Sequence, residues 1–155
     1  MSEQYVVMKL GNEFYGASVM QVISIERMMN ISQVPRTLSY IKGVVNLRGT
    51  VTPVIDLRER VGLTRNGQES DATRIVVTEV NDMTVGMIVD AVEDVVSIED
   101  GGIAPPPPVV GGIHAVYLKG VAQVGDRLLV ILNLEKILSD VELEQLQEVD
   151  RQVRG

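Results

Sequence analysis

The chain has 155 residues, no cysteine, one Phe, four Tyr and a formal net charge of −7. Its length suits a single domain with a sizeable core, the missing cysteines exclude disulfides and thiolate metal sites, and the negative charge disfavours nucleic acid as a partner. No basic region precedes an apolar one at the start, and no apolar run approaches the roughly 18 residues of a membrane span, so we expect a cytoplasmic chain without membrane insertion.

The first residues predict strands joined by tight turns. Val and Ile make up 39 of the residues, and their branched side chains favour a mostly β fold. Residues 5–10 form a first strand and 14–16 a second, because Gly11 and Asn12 accept the positive φ of a hairpin turn. Val19, Val22 and Ile25 are spaced by three, which fits a helical turn or a bulged strand, and we favour a strand.

The next segment predicts two further strands and a short helix. Val34 is expected to have an extended backbone because it precedes Pro35, which makes this segment a strand edge or a loop. Strands over 44–47 and 51–57 follow, and they are joined around Arg48. Pro53 requires an edge position or a bulge because proline lacks an amide donor. A helix over 57–63 ends at Gly62, and a polar connection follows.

The second half predicts a similar series of strands. A hairpin over 74–80 and 84–89 turns at Asn81-Asp82, and a strand follows over 91–98. Glycines and four consecutive prolines make 101–112 a surface loop. Strands over 116–121 and 127–134, a short helix over 134–138 and a C-terminal helix over 139–153 complete the prediction.

The two halves are related by a weak repeat. Residues 41–44 recur 77 positions later as 118–121, and the same offset pairs Asp56 with Asn133. Upstream the offset is 70, and it pairs Gly16 with Gly86, Val22 with Val92 and Ile25 with Val95. Because units of about 70 residues are small for independent cores, we expect the two units to pack against each other.

Residues that could carry chemistry do not form a recognisable site. His114 is the single histidine, and no serine stands in a Gly-x-Ser-x-Gly setting, so a serine triad is not supported. Asp56 and Asp90 are not equivalent in the repeat, and we interpret them as structural acceptors of backbone hydrogen bonds at strand ends. The remaining acidic pairs match no calcium loop. We therefore predict no catalytic residue, cofactor or metal.

Arg48 is the polar residue that stands out, at a turn between two apolar strands. Its counterpart in the repeat is Gly125, so the symmetry of charge is broken at this position. A guanidinium could offer a partner carboxylate a rigid fork of donors. A solvated turn arginine is the alternative.

The turn and its neighbours closely resemble the CheW family, the coupling proteins of bacterial chemotaxis. The resemblance rests on Gly-Val-Val-Asn-Leu-Arg-Gly at 43–49, Pro-Val-Ile-Asp-Leu at 53–57 and Val-Gly-Met-Ile-Val-Asp at 85–90, and it runs from about Tyr5 to Leu138. It implies a mostly β fold of two tandem SH3-like five-stranded β-barrels packed on a shared core. We accordingly expect one CheW-like domain over 1–155, with subdomains over 10–75 and 76–138 and with the first strand free to join the second barrel.

The resemblance also implies a function. Members of the family are non-enzymatic adaptors that join the cytoplasmic helical-hairpin tip of chemoreceptors to the regulatory domain of the histidine kinase CheA, which is itself CheW-like. We therefore expect these two partners, and recruitment of the cytoplasmic protein to membrane-associated receptor clusters. A CheV-type adaptor is an alternative, disfavoured because no receiver domain follows residue 138, and a carboxylate-dependent hydrolase using Asp56 or Asp90 is another.

Site residues follow from the same resemblance. Arg48 matches the family's partner-binding arginine, and Asn46 and Gly49 are expected to shape its turn. The kinase is expected around Ile41, Lys42 and Gly43. For the receptor tip, we expect a groove between the barrels lined by Val22 and Ile25 together with Val85 and Val89 from the other barrel, although apolar strand residues are core by default.

One position departs from the family. Where some relatives have a glutamate that could pair with the arginine, this chain has Ser24, and its nearest acidic residue is Glu26. Residues two apart on a strand share a face, so Glu26 could replace it.

Overall fold

Strands dominate the computed structural model, which describes residues 2–33, 40–63, 69–110 and 113–138, so the predicted mostly β class is confirmed. In chain order the strands are β1 (Ser2–Leu10), β2 (Glu13–Ser18), β3 (Val22–Arg27), β4 (Ile41–Leu47), β5 (Thr50–Asp56), β6 (Arg74–Val80), β7 (Met83–Val89), β8 (Ala91–Glu99), β9 (Val109–Val110), β10 (Ile113–His114), β11 (Leu118–Val124) and β12 (Arg127–Leu132). The predicted helix over 139–153 lies outside the described residues, as does Val34-Pro35.

Helical structure is limited to short turns. Single-turn helices α1 (Leu57–Arg60) and α2 (Leu134–Ile137) follow β5 and β12, and 3₁₀ turns occupy Val19–Gln21 and Ala115–Tyr117. The spacing of Val19, Val22 and Ile25 thus reflects both alternatives, because the 3₁₀ turn holds the first residue and β3 the other two. None of the helices described is long and apolar enough to cross a membrane.

Local turn chemistry produces the predicted hairpins. In the β6–β7 turn, Asn81 and Asp82 have φ of 51° and 64°, values that these short polar side chains tolerate better than most. The β1–β2 turn places Gly11 at φ 63°. The hairpins β1–β2, β4–β5 and β6–β7 are therefore confirmed.

The strands form two five-stranded sheets. Sheet one has the order β3-β6-β7-β5-β4, and sheet two the order β11-β12-β2-β1-β8. Each sheet closes toward a barrel, because a bridge from Ser32 to Val44 brings the segment after β3 onto β4, and a bridge from Ala104 to Val121 does the same in sheet two. A parallel pair lies inside each sheet, β5 with β7 and β12 with β2.

The repeat units exchange hairpins with each other. Unit one, from β1 to α1, gives β3, β4 and β5 to sheet one and its hairpin β1–β2 to sheet two. Unit two, from β6 to α2, gives β8, β11 and β12 to sheet two and its hairpin β6–β7 to sheet one. The division into two sheets therefore does not follow the predicted subdomain boundary between residues 75 and 76. Strands β6 and β7 come after that boundary but lie in the same sheet as β3, β4 and β5. The boundary was drawn along the chain, whereas strand pairing crosses between the units.

The exchange preserves the symmetry of the repeat in detail. The amide of Asp56 donates to the Tyr40 carbonyl at 2.7 Å, and 77 residues later the amide of Asn133 donates to the Tyr117 carbonyl at 2.8 Å. Asp56 and Asn133 also cap the helices α1 and α2 with their side chains. A pseudo-twofold axis thus relates the two units.

Apolar side chains fill three layers. The largest cluster lies between the sheets and includes Met8 and Tyr15 from sheet two with Val76 and Met87 from sheet one. Two smaller clusters fill the interiors of the barrels, one around Ile131 in sheet two and the other around Val54, Ile75 and Val77 in sheet one. The predicted shared core is confirmed.

Pro53 is accommodated in an inner strand of sheet one. It pairs with Val44 of β4, and the parallel pairing of β5 with β7 begins one residue later, at Val54 opposite Gly86. Pro53 therefore lies where the ladder to β7 has not yet begun, so its missing amide removes no bond from that ladder.

Burial predicts the stability effect of a core truncation. Val54 is 0% exposed, and Val54→Ala should lower the free energy of unfolding by about 1 to 3 kcal/mol because it removes buried methyl groups and leaves a cavity. Val95→Ala is the matched control, since that valine is 54% exposed on β8. Urea unfolding of both variants checks the assignment, and equal losses would contradict it.

Candidate partner-binding site

Arg48 stands at the tip of a two-residue hairpin turn. Arg48 and Gly49 both have positive φ, 51° and 86°, as a type I′ turn requires. The Asn46 side-chain oxygen accepts a hydrogen bond from the Gly49 amide at 2.8 Å. Asn46 and Gly49 therefore shape the turn as predicted, and they hold Arg48 in a backbone region that non-glycine residues seldom adopt.

The Arg48 side chain projects into solvent beside one carboxylate. It is 77% exposed, and its Nη2 lies 3.4 Å from Oε2 of Glu26, which is 20% exposed. Glu26 therefore occupies the pairing role considered for it in place of Ser24. A long, exposed ion pair of this kind contributes at most about 1 kcal/mol, so a partner can displace it at little cost.

Strand β3 presents different chemistry on its two faces. Glu26 is opposite Ile75, a residue of the interior of barrel one, whereas Ile25 is opposite Val76, a residue of the shared core. Because directly opposed residues project to the same face, Glu26 and Ile25 lie on opposite faces of the strand. β3 ends sheet one, so part of each face remains uncovered.

Apolar side chains concentrate at this edge. Met20 is 87% exposed on the 3₁₀ turn before β3, Ile25 is 42% exposed, and Ile23 is also exposed at a register shift between Val22 and Ser24. We call Met20, Ile23 and Ile25 the β3 apolar edge. Val22 lies half-buried against the shared core. The family resemblance led us to expect Val22 and Ile25 here, whereas Met20 and Ile23 were not predicted.

Val85 and Val89 do not line a groove. Both lie on β7, which belongs to sheet one with β3, and both side chains are buried in the shared core. The prediction that they come from the other barrel and face a partner is wrong, because β7 is an inner strand whose face is covered by sheet two. The exposed residue of sheet two that corresponds to Ile25 is Val95, and the repeat offset of 70 had already paired the two.

The three residues predicted for the kinase side lie at the start of β4 and have different environments. Ile41 is buried in the shared core. Gly43 has φ 140°, and a Cβ there would collide with the Ser32 carbonyl oxygen. Lys42 is the one with a side chain at the surface, where its Nζ pairs with Glu59 of α1 at 2.9 Å. A partner on this strand therefore meets Lys42 and Glu59.

A small cavity adjoins the Arg48 turn. It has a volume of about 300 Å³, and its walls include Val44, Val45 and Val51 with the amide side chains of Asn30 and Asn46. A cavity of this size, lined by valines and by polar residues, suits one inserted side chain.

Both aspartates weighed as catalytic residues have structural roles. Asp56 is buried and accepts hydrogen bonds from the amides of Arg58 and Glu59 at the start of α1. Asp90 accepts from the Gly11 amide at 2.6 Å and from Arg58 at 3.0 Å. In the part of the chain that the structure describes, no three His, Asp or Glu side chains come together as a metal site.

Comparison with known proteins identifies the family. The model of the CheW-like domain matches residues 4–142. The chain belongs to the CheW family. It is 33% identical over 150 residues to the chemotaxis protein CheW of Klebsiella aerogenes, a match that covers 96% of this chain and 89% of that protein. It is 38% identical to CheW of Bacillus subtilis over 136 residues, covering 88% and 86% of the two chains.

A solved structure and a longer relative complete the comparison. The scaffolding protein TtCheW of Thermoanaerobacter tengcongensis superposes with a TM-score of 0.83 at 34% identity, covering 92% of this chain and 91% of that one. CheV3 of Helicobacter pylori is 29% identical over 84% of this chain but only 43% of its own length. The chain is thus a chemotaxis scaffold of the CheW family, and as such it is not an enzyme.

The Arg48–Glu26 pair gives a stability prediction. Arg48→Asn and Glu26→Gln should each change the free energy of unfolding by no more than about 0.5 kcal/mol, because the pair is exposed and asparagine tolerates positive φ. A double-mutant cycle measured by urea unfolding should give a coupling below about 1 kcal/mol. A larger coupling would make the pair a structural element of the barrel.

Proposed function

We propose that this CheW-family chain is a cytoplasmic adaptor that couples the cytoplasmic tips of chemoreceptors to the histidine kinase CheA. The observation that carries the proposal is the division of β3 and its surroundings into two surfaces. One is charged and centred on Arg48, and the other is the β3 apolar edge. Two surfaces of different chemistry suit an adaptor that holds two partners at once.

The charged surface is assigned to the kinase. The turn fixes the backbone of Arg48 before any partner arrives, so binding orders only the side chain. A guanidinium can then meet a partner carboxylate with two parallel hydrogen bonds, and the cavity beside Asn46 can take a neighbouring side chain. Lys42 and Glu59 form a separate ion pair near the other end of β4, which offers the kinase charges of both signs. Complementary charge favours specificity and fast association.

The apolar edge is assigned to the receptor tip. A helical hairpin presents ridges of side chains spaced by three and four residues, and such ridges pack against an apolar surface beside a groove. The flexible side chain of Met20 can adapt to ridges of different shape. Recruitment to the receptors would bring the protein to membrane-associated clusters without any membrane insertion of its own.

Calorimetric titration against a CheA regulatory domain tests the kinase surface. Arg48→Glu should weaken binding at least tenfold, because it places a negative charge against the partner carboxylate and removes the guanidinium. Lys119→Glu is the matched control, since Lys119 is the exposed counterpart of Lys42 on β11 and the charge change is the same. The thermal midpoint of both variants should stay within about 2 °C of the parent.

The affinities of the Arg48→Glu variant for the kinase domain and for the receptor together show which partner contacts Arg48. Unchanged kinase affinity in a folded Arg48→Glu protein would remove the kinase from this surface. Loss of receptor binding alone in that variant would assign Arg48 to the receptor instead.

A receptor fragment containing the hairpin tip tests the apolar edge. The double variant Met20→Ser with Ile25→Ser should lower its affinity at least tenfold, because both side chains lose apolar contact area, while affinity for the kinase domain stays within twofold. Leu128→Ser provides the control, because Leu128 is an exposed apolar residue on β12 of sheet two. An equal loss in the control variant, or full receptor affinity in the double variant, would contradict the assignment.

A further inference from the structure

The hairpin exchange makes each repeat unit structurally incomplete without the other. Of the eight ladders in the five-stranded sheets, β1–β2, β4–β5, β6–β7 and β11–β12 lie within a unit. The other four, β1–β8, β2–β12, β3–β6 and β5–β7, join the units. Neither unit can complete a sheet alone, and each would expose unpaired strand edges.

The packing between the units is close as well as extensive. A Cβ placed on Gly16 of unit one would lie 3.1 Å from Ile131 Cδ1 and 3.3 Å from Leu129 Cδ2 of unit two. The shared core draws side chains from both units, including Met8 and Tyr15 from one and Val76 and Met87 from the other. The residues named in these contacts all lie on strands.

Polar contacts fasten the same interface at two points. The Arg60 guanidinium of α1 stacks between the rings of Tyr40 and Tyr117, at 5.2 and 5.0 Å from their centroids, and its Nε donates to the Ile137 carbonyl of α2 at 2.6 Å. Asp90 of unit two accepts from both the Gly11 amide and Arg58 of unit one. Arg58 is largely buried at 11% exposed, whereas Asp90 is 39% exposed, so water only partly screens this pair.

A single covalent link, between α1 and β6, connects the units. Of its described residues, Glu69 to Ala72 are exposed, whereas Val61 and Thr73 are buried at its two ends and Leu63 packs against the shared core. Four ladders and the shared core join the units through strand residues, so we expect the middle of the link to act mainly by raising the effective concentration of one unit around the other.

We propose that the two repeat units of this chain bind each other as separable partners, so that a second copy of the chain can supply either unit. Two chains that exchange units would form a dimer of two complete two-sheet bodies, each built from unit one of one copy and unit two of the other. Such a dimer carries two Arg48 turns on tethered bodies and can engage two partners. The proposal does not depend on which partners the chain binds.

A full-length protein with a protease recognition sequence inserted between Glu69 and Ser70 tests the proposal. After cleavage, the two fragments should elute together from a sizing column and unfold in one cooperative transition. Because the folded state is then bimolecular, its thermal midpoint should fall by about 3 to 6 °C for each tenfold dilution. The uncleaved protein is the control, and its midpoint should not depend on concentration.

Exchange is measured by mixing two cleaved samples, one with an affinity tag on unit one and the other with isotope-labelled unit two. After unfolding in urea and dilution, about half of the unit two captured through the tag should be labelled, as random reassortment of equal amounts requires. Separate elution of the fragments, two independent unfolding transitions, or captured protein without label would each overturn the proposal.

A packing variant locates the exchange at the predicted interface. Gly16→Ala should lower the midpoint of the cleaved protein at every concentration, because the added methyl group pushes against Ile131 of the other fragment. Adding Ile131→Val, which removes the Cδ1 atom, should recover part of that loss. No recovery, or an equal loss with Ile131→Val alone, would place the units in a different contact.

Discussion

The apolar layer between the two sheets sets the position of every other feature of the molecule. Strands β1 and β6 are buried on both faces, so consecutive side chains such as Tyr5, Val6, Val7 and Met8 point alternately into a barrel and into the shared core. A strand of this kind tolerates little slippage, because a shift of one residue would move side chains packed in the barrel interior into the shared core, and those of the shared core into the barrel. The layer thereby fixes the sheets relative to each other and leaves the residues proposed for partner binding at their rims.

The surfaces proposed for partner binding lie at β3, where the strand is no longer buried on both faces. β3 is an edge strand, and its side chains alternate between half-buried and exposed instead of being buried on both sides. Ile25 lies on the face that continues the shared core beyond its last covering strand, while Glu26 points to the opposite face and meets Arg48. An adaptor benefits from such a rim, because the rigid core keeps the two surfaces at a constant separation when partners bind.

Local signals in the sequence were enough for the hairpins, for Asp56 as an acceptor of backbone hydrogen bonds and for the Arg48 turn. Each depends on residues close together in the chain, such as Asn81 and Asp82 at positive φ or Asn46 bonded to Gly49. The alignment of the repeat also anticipated that Asp56 and Asn133 are equivalent. The expectation for Val85 and Val89 came from the family resemblance and was wrong, because the sequence of an apolar strand does not show whether its face is covered or open.

The sequence by itself determined the strand content, the turns, the duplication and the family, since these follow from side-chain shape, backbone preference and short motifs. Tertiary structure alone decided which unit each hairpin completes, which apolar residues remain exposed, and that Glu26 lies beside Arg48. The physical reason is that pairing between distant strands depends on how two apolar faces fit over each other, and that fit is a property of both units together.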